Sequence, residues 1–352
     1  MRRRIAVVGG GAVGSYIAAH LAADKQDVIV VDAWPEHVEA IRSEGLKIVG
    51  MIPSESMQTR IPAMHITEVQ ALAKSSPIDI AIVSVKSYDT LWATALIAPY
   101  LAPSDGYVVS AQNSINEERI ASVVGWERTV GCVVGNNFAV DLIEAGVVKR
   151  TTPKDPAVKS LELGEVHGRD TPRVRELADI LAGVDSCSIT SNLWGVRWSK
   201  LCVNGMRNAL SAVTGMNGNE RDSHDDVRRI GIRLGSEAVR VGQALGYQLE
   251  SMAGIPAERF ARAWDDPVAL AQIEEALIRG TRASARSNDQ RPSMAQDIQK
   301  GRRTEIDFLN GLIAARGHAV GCPAPTHERM VELVRQVERS QLQPRPENVL
   351  GQ

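Results

Sequence analysis

The 352-residue chain is short of the features that would assign it to a specialised class. Its four cysteines, Cys132, Cys187, Cys202 and Cys322, lie far apart and form no Cys-x-x-Cys pair. That excludes a zinc ribbon or a thioredoxin-type motif and predicts free thiols in a reducing cytoplasm. The seven histidines are equally scattered, with no His-Glu-x-x-His and no cluster at ligand spacing, so no catalytic metal is expected. Charge of one sign is not in excess. At a formal net charge of −2 there is no basic field to draw in nucleic acid or anionic membrane. Apolar runs are of strand length and broken by glycine or charge, so no membrane-spanning helix is expected. Met1-Arg2-Arg3-Arg4 is basic but leads into a strand and a glycine loop, not into the apolar core of a secretory leader. What remains is an ordinary globular mixture, 44% hydrophobic and 23% charged, long enough for two domains.

One stretch organises the rest. Arg4 to Val8 is a β-branched apolar run that enters Gly9-Gly10-Gly11-Ala12-Val13-Gly14, a match to G-x-G-x-x-G. Ser15 to Ala23 reads as a helix and Asp27 to Asp32 as a second strand ending in a carboxylate, 18 residues beyond Gly14. In such a βαβ unit Gly9 permits the tight turn and Gly11 lets the backbone approach a pyrophosphate. Gly14 lets helix and strand pack closely, and the N–H groups at the helix start, with Gly10, Ala12 and Val13, face the phosphates. Asp32 predicts NAD(H) over NADP(H), because a carboxylate accepts from the ribose 2′-hydroxyl and repels a 2′-phosphate. No Arg or Lys follows in Ala33-Trp34-Pro35-Glu36 to hold that phosphate. Trp34 either stacks on the adenine or closes a turn against the next helix.

Strand and helix patterns alternate through the first half, predicting a doubly wound, largely parallel α/β sheet over residues 1–188. Helices are expected over Glu36–Glu44, Tyr88–Tyr100, Glu117–Val124 and Thr171–Ala182. Strands are expected over Leu46–Val49, Ile78–Val85, Gly106–Ala111, Thr129–Val134, Gly146–Thr151 and Lys159–Leu163. From about Asn192 only helical patterns follow: Leu193–Ser211, Val227–Ala244, Pro256–Trp264, Pro267–Gly280, Met294–Gly317 and Pro325–Leu342. Residues 189–342 therefore read as an all-helical domain, with a cleft between the domains as the expected active site and 343–352 as a loose tail.

Three places carry candidate chemistry. Lys86 and Asn113 follow buried strands at the end of the sheet where ligands bind. They can reach a nicotinamide ribose and a reacting carbonyl, or Lys86 is solvated and Asn113 merely makes an Asx-turn. Lys200, Asn204, Arg207 and Asn208, at i, i+4, i+7 and i+8, form one helical stripe. It holds amides and cations but no carboxylate, which suits an anionic, carbonyl-bearing substrate; a solvated face is the other reading. Ser293 with Gln296 matches a capping box and lies upstream of Glu305 and Asp307.

Together these residues resemble the ketopantoate reductase (2-dehydropantoate 2-reductase) family over nearly the whole chain. The resemblance rests on Gly9–Gly14, Val85-Lys86, Gln112-Asn113 and Trp198-Ser199-Lys200-Leu201 with Asn204 and Asn208. Ser293-Met294, Gly301 through Asp307, and Asn310-Gly311 complete it. It implies a Rossmann-type domain followed by a helical domain like the C-terminal one of 6-phosphogluconate dehydrogenase, which often pairs into a homodimer. It implies NADP(H) as the usual cofactor and a small anionic 2-oxo acid as substrate. Lys200 is then the general acid, Asn204, Asn208 and Ser293 bind substrate, and Glu305 lies against cofactor and substrate and orients Lys200. Lys86 and Asn113 contact the cofactor, with Asn113 also near the reacting centre.

The chain departs from the family pattern at Asp32, at Ser114 after Asn113, at Arg207 and Ala209, and in added length between Thr214 and Ser293. The extra Arg207 suggests a second anionic group or a longer substrate. The alternatives are a member oxidising another hydroxy compound with NAD and a non-catalytic dinucleotide sensor. Lys200, Asn204 and Glu305 together argue against the sensor, which needs no proton donor.

Overall fold

The computed structural model describes residues 3–135, 137–283 and 290–350. The chain forms two compact units, Met1–Leu193 and Trp194–Gln352.

The first unit runs β1 (Arg4–Val8), α1 (Ala12–Ala23), β2 (Asp27–Asp32), α2 (Pro35–Ser43), β3 (Leu46–Val49), β4 (Met57–Thr59), β5 (Ala63–His65) and β6 (Ile80–Val83). It continues with α3 (Thr90–Ile97), β7 (Tyr107–Ser110), α4 (Glu117–Val124), β8 (Thr129–Val134), β9 (Val140–Glu144) and β10 (Val147–Arg150). Last come β11 (Leu161–Glu165), α5 (Pro172–Leu181) and β12 (Cys187–Ile189). The main sheet has the order β12-β11-β8-β7-β6-β1-β2-β5. Six of its strands run parallel to one another, and β11 and its parallel neighbour β12 run the opposite way, β11 pairing antiparallel with β8.

Strand pleating explains why β1, β6 and β7 read as continuous apolar runs. Ile5, Val7, Ile80, Ile82 and Val109 enter one core with Tyr16 and Ile17 of α1 and Leu177 of α5. Ala6, Val8, Ala81, Val83 and Val108 enter another with Ala93 and Ile97 of α3 and Ile120 of α4. A sheet buried on both faces has no polar face to show.

Leu46–Val49 is a strand as expected, and β10 lies within the expected run Gly146–Thr151. Neither joins the main sheet: they pair with each other in a second sheet of order β4-β3-β10-β9. That sheet is hard to read because β4 and β9 are short and only half-covered, so neither needs an apolar run.

The second unit holds α6 (Leu193–Thr214, its first residue closing the first unit), α7 (Gly218–Ser223), α8 (Asp225–Ala244), α9 (Ala257–Arg262), α10 (Pro267–Ala283) and α11 (Ser293–Gln299). α12 (Asn310–Ala319), α13 (Pro325–Glu338) and α14 (Glu347–Leu350) follow. Among its described residues the only β pairing is the isolated bridge Met252–Ile255.

The single helix expected over Met294–Gly317 is instead broken. Gly301 adopts φ +62°, its N–H bonds the Ile298 carbonyl, and the Arg302 N–H bonds the Asp297 carbonyl. This is a Schellman ending, and it frees 302–305 from the helix. The segment after Gln343, expected to be loose, is tied down where it is described. Arg345 N–H and Asn348 Nδ2 both donate to the Val213 carbonyl at the end of α6.

Among the described residues no helix is long and apolar enough to cross a membrane, and no group of three or more His, Cys, Asp or Glu could hold a metal ion.

Candidate active-site residues

The glycine turn joins β1 to α1, and each glycine has its own reason. Gly9 sits at φ +99°, and a Cβ there would lie 2.7 Å from the Val85 backbone nitrogen. A Cβ on Gly14 would lie 2.0 Å from the Gly9 carbonyl oxygen and 2.3 Å from Ser84 Oγ, whose hydroxyl itself donates to Gly9 O at 2.7 Å. Around Gly11 nothing approaches a Cβ position within 4 Å. Gly11 is also the N-cap of α1, and no side chain caps that helix. An open glycine before uncapped helical N–H groups fits a dinucleotide pyrophosphate, with Gly10, Ala12 and Val13 supplying the surrounding backbone.

Asp32 ends β2 beside this turn. It accepts from Gly10 N–H (2.5 Å to Oδ2) and Trp34 N–H (2.8 Å to Oδ1), so both oxygens are held in place. Trp34 stacks on His37, with ring centroids 5.5 Å apart and planes within 10°, so it closes the turn into α2.

Lys86 and Asn113 follow β6 and β7, neighbours in the sheet. Both are partly buried, in loops laced together by Gln112 and Asn116. Gln112 Nε2 donates to Val85 O (2.8 Å) and Thr90 Oγ1 (2.9 Å), and Asn116 Nδ2 donates to Asn113 O (2.8 Å) and Ser87 Oγ (3.1 Å). Asn116 thus ties the loop after β7 to the loop after β6. Ser114, buried, stands at φ +68°, a conformation that favours glycine.

In the second unit, α6 carries Lys200, Asn204, Arg207 and Asn208. Asn204 and Asn208 are 6% and 8% exposed, which removes the solvated-face reading for the amides. Lys200 and Arg207 are partly buried. The Lys200 ammonium is pushed down to about 7, first by burial and then by the Arg207 guanidinium.

The helix is anchored beside this stripe. Trp198 Nε1 donates to the Ala238 carbonyl of α8 (2.8 Å), and Ser199 Oγ accepts from Glu250 N–H (2.8 Å). Asn310 Nδ2 donates to the Gly205 carbonyl (3.1 Å) and to His327 Nδ1 (3.0 Å), and His327 Nε2–H donates to Leu234 O (2.8 Å). Asn310 thus ties α6 to α12 and α13. Gly235 and Gly242 let α8 close on α6, because a Cβ there would lie 2.7 Å from Met206 Sδ and 2.4 Å from Trp198 Cδ1.

Ser293 is the first residue of α11, partly buried. The capping box expected with Gln296 is absent: Pro292 occupies the N-cap, and Gln296 Nε2 donates to Arg291 O (2.9 Å). The Schellman break sets Glu305 outside α11. Glu305 is 5% exposed, and its carbonyl accepts from Phe308 and Leu309 N–H.

A glycine turn with open helical N–H groups, a strand-end carboxylate, and a lysine poised near neutrality on an amide-lined helix define the class as a dinucleotide-dependent oxidoreductase. Residues 5–162 match the family described as "Ketopantoate reductase PanE/ApbA", and residues 192–338 match "Ketopantoate reductase PanE/ApbA C terminal". The chain belongs to the ketopantoate reductase family.

Among its relatives, a 2-dehydropantoate 2-reductase of Pyrococcus horikoshii is 27% identical, with 95% of this chain and 97% of that protein covered. One of Archaeoglobus fulgidus is 24% identical, with 96% and 98% covered. The crystal structure of a PanE/ApbA family ketopantoate reductase from Ralstonia eutropha superposes with a TM-score of 0.76 at 29% identity, covering 96% of this chain and 99% of that one. A ternary structure of D-mandelate dehydrogenase with NADH and anilino(oxo)acetate shares the fold, with a TM-score of 0.78 at 24% identity, covering 97% and 100%.

Proposed function

We infer that the protein interconverts a 2-oxo acid and its 2-hydroxy acid, with 2-dehydropantoate as the first candidate because the relatives that span this chain are named for it. The observation that carries the reading is Lys200. A lysine held near neutrality by burial, in one helical stripe with buried amides, supports proton exchange by that side chain.

A bound nicotinamide dinucleotide supplies the hydride. The glycine turn, with Asp32, Lys86 and Asn113, holds it, and the Asp32 carboxylate favours NAD(H). As negative charge develops on the carbonyl oxygen, the Lys200 ammonium stabilises it and gives up its Nζ proton to form the hydroxyl. Asn204, Asn208 and Ser293 bind the acid, and Glu305 lies against cofactor and substrate and orients Lys200. Arg207 supports a second reading, a substrate with another anionic group that is oxidised at the expense of NAD; in that direction neutral Lys200 is the base.

The test is NADH and NADPH oxidation by purified protein against a panel of 2-oxo acids. Lys200→Ala should lower turnover by ~10²-fold or more and leave NADH affinity within about twofold. Reduction of ketopantoate supports the first reading, and reduction of another acid alone supports the second. If no acid is turned over in either direction, the enzyme reading falls to the sensor alternative.

A further inference from the structure

His37 is fully buried in α2, outside every motif above, yet it touches the cofactor turn. Its ring is held from two sides. The Gly146 N–H, from the turn between β9 and β10, donates to His37 Nδ1 at 2.9 Å. Nδ1 is therefore the acceptor, and the ring proton must sit on Nε2. Nε2 lies 3.1 Å from Ser15 Oγ, which spends its own hydrogen on the Gly10 carbonyl at 2.6 Å. Every donor in this chain thus points one way: Gly146 to His37, His37 to Ser15, Ser15 to Gly10, and Gly10 to Asp32.

We propose that His37 is a positioning residue for the dinucleotide, through which the second sheet fixes the glycine turn and the ribose-binding carboxylate in one arrangement. The inference rests on the reading of the glycine turn as a dinucleotide site. It also gives the second sheet a task. Gly146 stands at φ +76°, and a Cβ on it would lie 3.0 Å from the Ala40 Cβ of α2. The turn therefore docks closely on α2 with its N–H turned to the imidazole. Gly10, which is not one of the three fingerprint glycines, is explained as well. A Cβ there would lie 3.1 Å from His37 Nε2 and 3.2 Å from Asp32 Oδ2, pressing on two members of the chain at once. Burial lowers the His37 pKa, which keeps the ring in the neutral form this direction of donation requires.

The experiment is a double-mutant cycle on His37→Phe and Ser15→Ala, read by NADH fluorescence titration without substrate and by steady-state kinetics. Each single variant should weaken NADH binding and raise its KM by about tenfold, with kcat and the KM of the acid nearly unchanged. The double variant should be no worse than the singles, because both remove the same link. His37→Gln, which keeps an N–H donor toward Ser15, should recover most of the affinity. A general loss of packing would lower the melting temperature or kcat without this split or this rescue.

Wild-type NADH affinity in folded His37→Phe and Ser15→Ala, or additive losses in the double variant, would overturn the proposal while leaving the dinucleotide reading intact. Failure of the wild-type chain to bind NADH would overturn both. If His37→Phe does not fold, Ser15→Ala and His37→Gln decide the matter.

Discussion

The proton that we propose Lys200 gives to the substrate depends on pH for its supply. Its folded pKa lies near 7, well below the ordinary 10.5, so the ammonium is present below neutrality and lost above it. Reduction of a 2-oxo acid should therefore be fastest below pH 7 and fall about tenfold per unit above it. Oxidation of the hydroxy acid should rise over the same interval. Arg207 is the second cause of the depression, so Arg207→Ala should move both limbs to higher pH even though its KM for the acid also rises. A pH series of kcat/KM in both directions checks this. Limbs that stay fixed in Arg207→Ala would remove Arg207 from the electrostatics of Lys200. At this same scale Ser114 shows what spacing could not reveal: a non-glycine held at φ +68°, retained because the loops around it are cross-linked through Asn116 and Gln112.

At the scale of elements, α6 is held by buried imidazole and amide contacts as well as by apolar packing. His327 on α13 is fully buried and bonded in its neutral form to Asn310 and Leu234, and burial lowers its pKa to about 4. His20 on α1 is lowered to about 4 as well, its Nδ1–H donating to Tyr16 O at 2.9 Å. Both imidazoles stay neutral in the folded chain between pH 6.5 and 4, whereas the unfolded chain takes up a proton on each. Stability should therefore fall with pH across that window, by about 2 kcal/mol per histidine at pH 5. Urea unfolding at pH 7.5 and pH 5 tests the sign. His327→Asn, though less stable at pH 7.5, should lose about 2 kcal/mol less on acidification than the parent. An equal loss would show that His327 does not contribute.

Across the whole molecule, what could be read from the sequence followed how far each feature depended on local pattern. The βαβ unit, the two-face burial of β6 and β7, and the helical character of the second half are written in periodicity and glycine spacing. The second sheet is not, because β4 and β9 are short and half-covered. The break after α11 is not legible in the pattern, because one glycine inside a long helical run costs little, and the left-handed φ of Gly301 shows only together with the Arg302-to-Asp297 bond. The stripe of Lys200, Asn204, Arg207 and Asn208 was visible as a pattern, but whether it faced water was decided by the burial of its amides. His37, Asn310 and His327 act through partners more than 80 residues away in sequence, except for Ser15 near His37 and Asn310 near His327, and no spacing rule reaches that far.

The most direct test of the central claim is a paired measurement on wild type and Lys200→Ala. It combines single-turnover oxidation of bound NADH by the best 2-oxo acid with NADH affinity measured by fluorescence. The account predicts NADH binding in both proteins and hydride transfer slowed at least ~10²-fold in the variant. Equal rates in the two proteins would contradict it.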